Sequence, residues 1–203
     1  MKQALFFALI AVLFFSCQRP ATQQLVPENI AYLSRADWGA KPAVLPMRPH
    51  DLTRLTIHHT ATRQLPEKPL KEKMVLLQKF SQEESVLASG KTKPVWTDIP
   101  YHLYVDCNGV VAEGRELAYA GDSNTAYDPA GHLLVVVEGN FEEEEITPEQ
   151  LVTLEALVPA LAKRYNIPAD SIGGHLDFAM TLCPGKGLYE KLSHFRELVA
   201  HQK

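Results

Sequence analysis

The sequence predicts an α/β fold: a central mixed β-sheet flanked by helices, in a single domain. Three observations lead there. Residues 54–59 and 132–138 are short aliphatic, β-branched runs of strand length. Residues 70–87 and 147–165 repeat apolar side chains at helical spacing. Strand-like and helix-like stretches alternate along the chain, and that order gives a sheet covered by helices.

Each element has its own signal. Residues 17–31 mix Pro, Gln and Thr without periodicity and read as a tether, so folded structure is expected over 32–203. The first strand, "RLTIHH", is followed by a helix expected to bury Leu70, Met74, Leu77 and Phe80. Two apolar runs around Asn108-Gly109 then signal a hairpin, because this dipeptide accepts the positive φ angles of tight turns. The strand "HLLVVVE" comes next. Thr147-Pro148-Glu149-Gln150 opens a helix with an N-cap, a proline at the first position and a capping-box glutamine. Its buried stripe should be Leu151, Leu154, Val158, Leu161 and Tyr165, with a kink at Pro159. A last helix over residues 188–202 should bury Leu188, Leu192, Phe195 and Leu198.

Composition bounds the function. The chain has 203 residues, 46% hydrophobic and 22% charged, enough for one substantial core. A formal net charge of -4 without a dense Lys/Arg cluster excludes a nucleic-acid surface. The acidic run Glu142 to Glu145 reads as a solvated loop. At the N-terminus, Lys2 precedes an apolar run that ends in Ser16-Cys17. Residues 1–16 read as a signal peptide, and the junction resembles a bacterial lipoprotein processing site with lipid on Cys17. The expected product is an exported lipoprotein on the periplasmic side of the envelope. Gln18, rather than Asp, after the cysteine favours the outer membrane over the inner one. A monomer is expected.

The stretch "TIHHT" places two histidines side by side on a strand, where neighbours point to opposite faces. Leu55, Ile57 and His59 share one face; Thr56, His58 and Thr60 share the polar one. His58 is therefore expected to look into a groove, and His59 to face the core or to support the site from beside it. Partners for His58 appear in "GGHLDFAMTLCPG", which carries His175 and Cys183. Two imidazoles and a thiolate suit zinc, with the fourth tetrahedral position left to water as in a catalytic site. A Cys107–Cys183 disulfide is the other reading of these cysteines, since export permits one.

The blocks "YLSRADWGAKP", "TIHHTAT", "WTDIPYHLYVDCNGVVAEGRE", "EGNF" and "GGHLDFAMTLCPG", in that order, resemble the peptidoglycan recognition protein and type 2 N-acetylmuramoyl-L-alanine amidase family. The resemblance implies that fold, a Zn2+ ion on His58, His175 and Cys183, and catalytic roles for Tyr101 and Thr181 facing the attacking water and the scissile carbonyl. Asp177 is expected to support a ligand histidine, against the alternative of a solvated loop carboxylate. The implied reaction is hydrolysis of the amide between N-acetylmuramic acid and L-alanine in peptidoglycan or muropeptides. A non-catalytic peptidoglycan-binding module and a structural zinc protein are the competing classes. The retained Cys183 and Tyr101 favour the enzyme, and no fourth protein ligand stands at a matching spacing. One segment departs from the family: "DSNTAYDPAGHLLVVV" lacks its usual Asn and Gly-Ile element. The groove rim there is left undefined, and His132 is expected to begin a strand.

Overall fold

The computed structural model describes residues 26–87 and 90–202. Cys17, the signal peptide and most of the proposed tether lie outside the described residues. The elements run β1 (Tyr32–Leu33), α1 (Arg35–Trp38), β2 (Arg54–His59), α2 (Leu70–Gln82), β3 (Ser85–Val86), β4 (Thr92–Lys93), β5 (Leu103–Val105), β6 (Val111–Glu113), β7 (His132–Val137), α3 (Pro148–Tyr165), β8 (Ile172–Gly174), α4 (Lys186–Tyr189) and α5 (Leu192–Ala200). Six strands form one sheet in the order β1-β6-β5-β7-β2-β8, while β3 and β4 pair separately. The β5–β6 pair is antiparallel and the other pairs of the large sheet are parallel, so the sheet is mixed as expected.

Strand alternation divides the core in two. Leu55 and Ile57 of β2, Leu133, Val135 and Val137 of β7, and Leu103 and Val105 of β5 pack with Leu154, Leu157, Val158 and Leu161 of α3 and Phe195 of α5. Tyr104, Ala112 and Val136, on the opposite face, pack with Trp38, Met74 and Ile99. Helices α1 and α2 cover only part of this second face. The β2 end of it stays available for a site.

The hairpin turns at Cys107–Gly109, where Gly109 N donates to Asp106 O and Gly109 itself has φ +78°. A Cβ there would also lie 2.7 Å from Glu149 O, so glycine is required twice over. Helix α3 has the expected capping box: Gln150 N donates to Thr147 Oγ1, and Thr147 N donates to Gln150 Oε1. Such a cap is worth about 1 kcal/mol. The helix continues unbroken through Pro159.

Four expectations are corrected. Helix α2 ends at Gln82 instead of residue 87, because Ser85–Val86 leave the helix to pair with Thr92–Lys93. Its buried side chains are Lys73, Met74, Gln78 and Ser81, whereas Phe80 is exposed. The last helix is broken between α4 and α5, and Leu198 is only half-buried. Finally, Val26 and Ile30 are buried in the larger core, so packed structure begins before Tyr32 and the end of the presumed tether belongs to the domain.

Candidate active site

The site lies where parallel strands β2 and β8 end. Ile57 pairs with Gly174, which brings His58 and His175 forward together at the same edge of the sheet. Ligand sites at the carboxyl ends of parallel strands follow from this topology, because the loops that leave there converge. The loop after His175 folds back through a hydrogen bond from Leu176 N to Cys183 O (2.8 Å). Gly174 permits that return: a Cβ would sit 2.8 Å from Pro184 Cδ. Cys183 is thereby carried beside β2, where its Sγ accepts the His59 N–H at 3.4 Å.

One donor atom from each of His58, His175 and Cys183 lies within 4.8 Å of the others. Zinc bonds of about 2.0–2.1 Å to nitrogen and about 2.3 Å to sulfur, at a tetrahedral angle, separate the two donors by about 3.6 Å. His58 Nδ1 and Cys183 Sγ are 3.6 Å apart. The three residues thus fit a metal. Burial holds His58 well below the usual imidazole range and His175 at about 4, so both imidazoles are neutral donors at pH 7. Burial pushes the Cys183 thiol up to about 12, against a lowering by the His59 N–H. A metal ion would be needed to hold it as thiolate. Both Cys107 and Cys183 are free, which removes the disulfide reading.

Tyr101 flanks the cluster, its ring 5.2 Å from that of His58. Burial, followed by the nearby Cys183 and Tyr127, raises its pKa and keeps the phenol protonated. Beyond Tyr101 opens a groove of about 550 Å³ whose walls include Thr60, Leu76, Phe80, Trp96, Asn124 and Glu138.

Residues 48–186 match the family described as N-acetylmuramoyl-L-alanine amidase, a span containing every residue of the cluster. The chain belongs to this amidase family. Peptidoglycan-recognition protein SD of Drosophila melanogaster is 30% identical over 172 residues, which is 81% of this chain and 85% of that protein. The solved structure of peptidoglycan recognition protein-LE in complex with tracheal cytotoxin, a monomeric diaminopimelic acid-type peptidoglycan, superposes with a TM-score of 0.67. It is 26% identical, and the match covers 81% of this chain and 93% of that one. The endolysin N-acetylmuramoyl-L-alanine amidase LysCS of Clostridium intestinale gives a TM-score of 0.59 at 25% identity, covering 80% and 93% of the two chains.

The remaining expected residues of this family member fall as follows. Thr181 is half-buried, and its Oγ1 accepts the Cys183 N–H at 3.2 Å, which ties it to the ligand loop. Asp177 departs from expectation. Its Oδ2 accepts Gly174 N (2.9 Å) and its Oδ1 accepts the Tyr189 hydroxyl (2.6 Å); among the described residues no hydrogen bond joins it to His58 or His175. It caps the turn carrying His175 and so acts on the backbone of that turn. His59 turns to the core as expected, with its ring 6.3 Å from Phe141. His132 begins β7, and its Nδ1 lies 2.8 Å from Thr56 Oγ1. In the acidic run, Glu144 accepts the backbone N–H of Gln64 and Asn140, and Glu142 accepts that of Lys186. These two carboxylates fasten loops together.

Sequence reading missed two site residues. Thr125 Oγ1 lies 2.7 Å from His175 Nε2, and the Tyr127 hydroxyl lies 3.5 Å from His58 Nε2. Their only signal is a cluster of hydroxyl residues in "SNTAY", which has neither periodicity nor ligand spacing.

Proposed function

We propose that this protein is a zinc-dependent N-acetylmuramoyl-L-alanine amidase, cleaving the amide between the lactyl group of N-acetylmuramic acid and L-alanine in peptidoglycan or muropeptides. The observation that carries the reading is the His58, His175 and Cys183 cluster with the protonated phenol of Tyr101 beside it, a residue that also lines the neighbouring groove. A zinc ion held by His58, His175 and Cys183 would supply a Lewis acid and a water whose pKa is lowered to about 7. The chain's own groups do the rest. Tyr101 donates a hydrogen bond to the carbonyl oxygen as negative charge develops on it. Thr181 offers a hydroxyl at the same rim while its acceptor lone pair holds the loop of Cys183. Tyr101, Leu76, Phe80 and Trp96 give the groove apolar surface against which a stem peptide can lie. Export as a lipoprotein anchored through Cys17, with the folded part acting as a monomer on the periplasmic side, completes the proposal.

The experiment is digestion of purified peptidoglycan and muropeptides by the zinc-loaded protein, with mass analysis of the products. Free stem peptide bearing a new L-alanine amino terminus is expected, and Cys183→Ala should lose both zinc and this product. Tight muropeptide binding by native protein without any such product would replace the enzyme by a peptidoglycan-binding module, the function that the name of the Drosophila relative describes.

A further inference from the structure

We propose that Thr125 and Tyr127 are positioning residues for the metal ligands: each holds the Nε2 edge of one ligand histidine through a hydroxyl, so that both imidazoles present Nδ1 to the ion. The inference rests on the metal reading above and adds residues to which that reading gives no part.

Both histidines have Nε2 against a hydroxyl. His58 turns Nδ1 toward Cys183 Sγ (3.6 Å) and Nε2 toward the Tyr127 hydroxyl (3.5 Å). His175 has Nε2 engaged by Thr125 Oγ1 at 2.7 Å, which leaves Nδ1 as its donor. An imidazole that ligates through one nitrogen carries its proton on the other, and that N–H needs an acceptor to fix tautomer and ring angle. A hydroxyl oxygen is such an acceptor. The proton order closes along the segment. His175 Nε2–H donates to Thr125 Oγ1, and the Thr125 hydroxyl can donate in turn to Ser123 Oγ at 2.7 Å. Ser123 Oγ also accepts the Thr125 N–H at 3.1 Å, which fixes the turn from which Thr125 reaches the ring.

Tyr127 is itself braced. Its ring lies 4.8 Å from His175, 5.3 Å from His132 edge-on and 6.3 Å from Phe178. His132 is held by Thr56 Oγ1, one turn of alternation before His58 on the same face of β2. The segment that departs from the family pattern thus supplies the outer contacts of two ligands. Because both partners are neutral hydroxyls, they orient the imidazoles without adding negative charge beside the ion.

The test is zinc affinity by chelator competition, together with histidine side-chain nitrogen NMR of the zinc-loaded protein. Thr125→Val, which keeps the shape and removes the hydroxyl, should weaken zinc binding about 10- to 100-fold. Thr125→Ser should restore most of it, and thermal unfolding of the metal-free variants should match native protein. Tyr127→Phe should weaken binding less, because its contact is longer. NMR should show protons on Nε2 of both His58 and His175. Zinc affinity in Thr125→Val equal to or above that of native protein overturns the proposal, as does a spectrum in which His175 ligates through Nε2. Native protein that binds no zinc overturns the metal reading itself, a result separate from either of these.

Discussion

Tyr101→Phe separates chemistry from architecture. Among the described residues no hydrogen bond engages the Tyr101 hydroxyl, while the ring packs against the smaller core beneath α1 and α2. Phenylalanine keeps that packing and leaves no donor or acceptor in the protein unpaired. Stability should therefore change by no more than about 0.5 kcal/mol, the range of substitutions that disturb no such feature. Zinc content should also be unchanged, since Tyr101 is not among the three donors. The loss falls on the transition state, where the proposed hydrogen bond to the developing oxyanion disappears. Removing one such donor costs about 2.7–4 kcal/mol, or roughly a 100- to 1000-fold fall in kcat. The assay is stem-peptide release at saturating muropeptide, with urea unfolding, zinc content and muropeptide affinity measured in parallel. Turnover within about threefold of native would refute the catalytic role. A large fall in turnover that came with equal losses of stability or zinc would make Tyr101 structural.

His59→Ala should retain zinc, because the side chain leaves β2 on the face opposite His58; metal analysis showing loss would reverse the assignment of the two histidines. Lys73→Met should destabilise the protein by about 3–5 kcal/mol in urea unfolding, because it strips the partner from a buried carboxylate. Lys73 Nζ and Glu138 Oε2 are 2.7 Å apart with side chains only 5% and 2% exposed, and an unchanged midpoint would count against a coupled pair. Stability should fall as pH drops from 6.5 toward 3, by about 1.4 kcal/mol per unit for His102 alone. Burial holds the folded His102 at about 3 against 6.5 when unfolded, so the unfolded chain takes up a proton that the folded chain refuses. Its Nδ1 accepts Leu134 N–H and its Nε2 faces Tyr119 O; a His102 resonance titrating near 6.5 in the folded protein would contradict this. Cys17→Ser should release the protein from the membrane fraction and leave amidase turnover in vitro unchanged, whereas equal fractionation of both forms would argue against a lipid anchor.

What was legible in the sequence was what repeats or what chemistry restricts. Period-two alternation assigned His58 and His59 to opposite faces, and the structure places them there. The Thr147–Gln150 box is a local signal and produced a local result. The clustering of His58, His175 and Cys183 was legible because few residue types bind metal and three of them stood in marked contexts. Contacts across long separations left little trace. Lys73 occupies a helix position that reads as solvent-facing, yet it is buried because Glu138, 65 residues later, lies beneath it. Val26 and Ile30 looked like tether because two isolated apolar residues make no period, and only the core beside them explains their burial. Thr125 likewise reads as one hydroxyl among several until β8 brings His175 to it.

The two duties of β2 also explain why the site keeps its register. Leu55 and Ile57 are wholly buried, each contributing about 1.5–3 kcal/mol of apolar burial, while Thr56 and His58 face the site. A slip of one residue would exchange the faces. It would send Ile57 into the polar site and press His58 toward the apolar core that Ile57 now helps to fill. The lost apolar burial would add to an unsatisfied polar group costing about 1–3 kcal/mol. Parallel pairing along all of β2 with β7 adds a ladder of backbone hydrogen bonds that such a slip must break. The same alternation that buries the core thus fixes which histidine joins His175 and Cys183 in the cluster. Arrangement of the cluster needs no separate stabilising device in β2, and the contacts that hold its residues sit in loops: the cap at Asp177, the return at Leu176 and Cys183, and the hydroxyls of Thr125 and Tyr127.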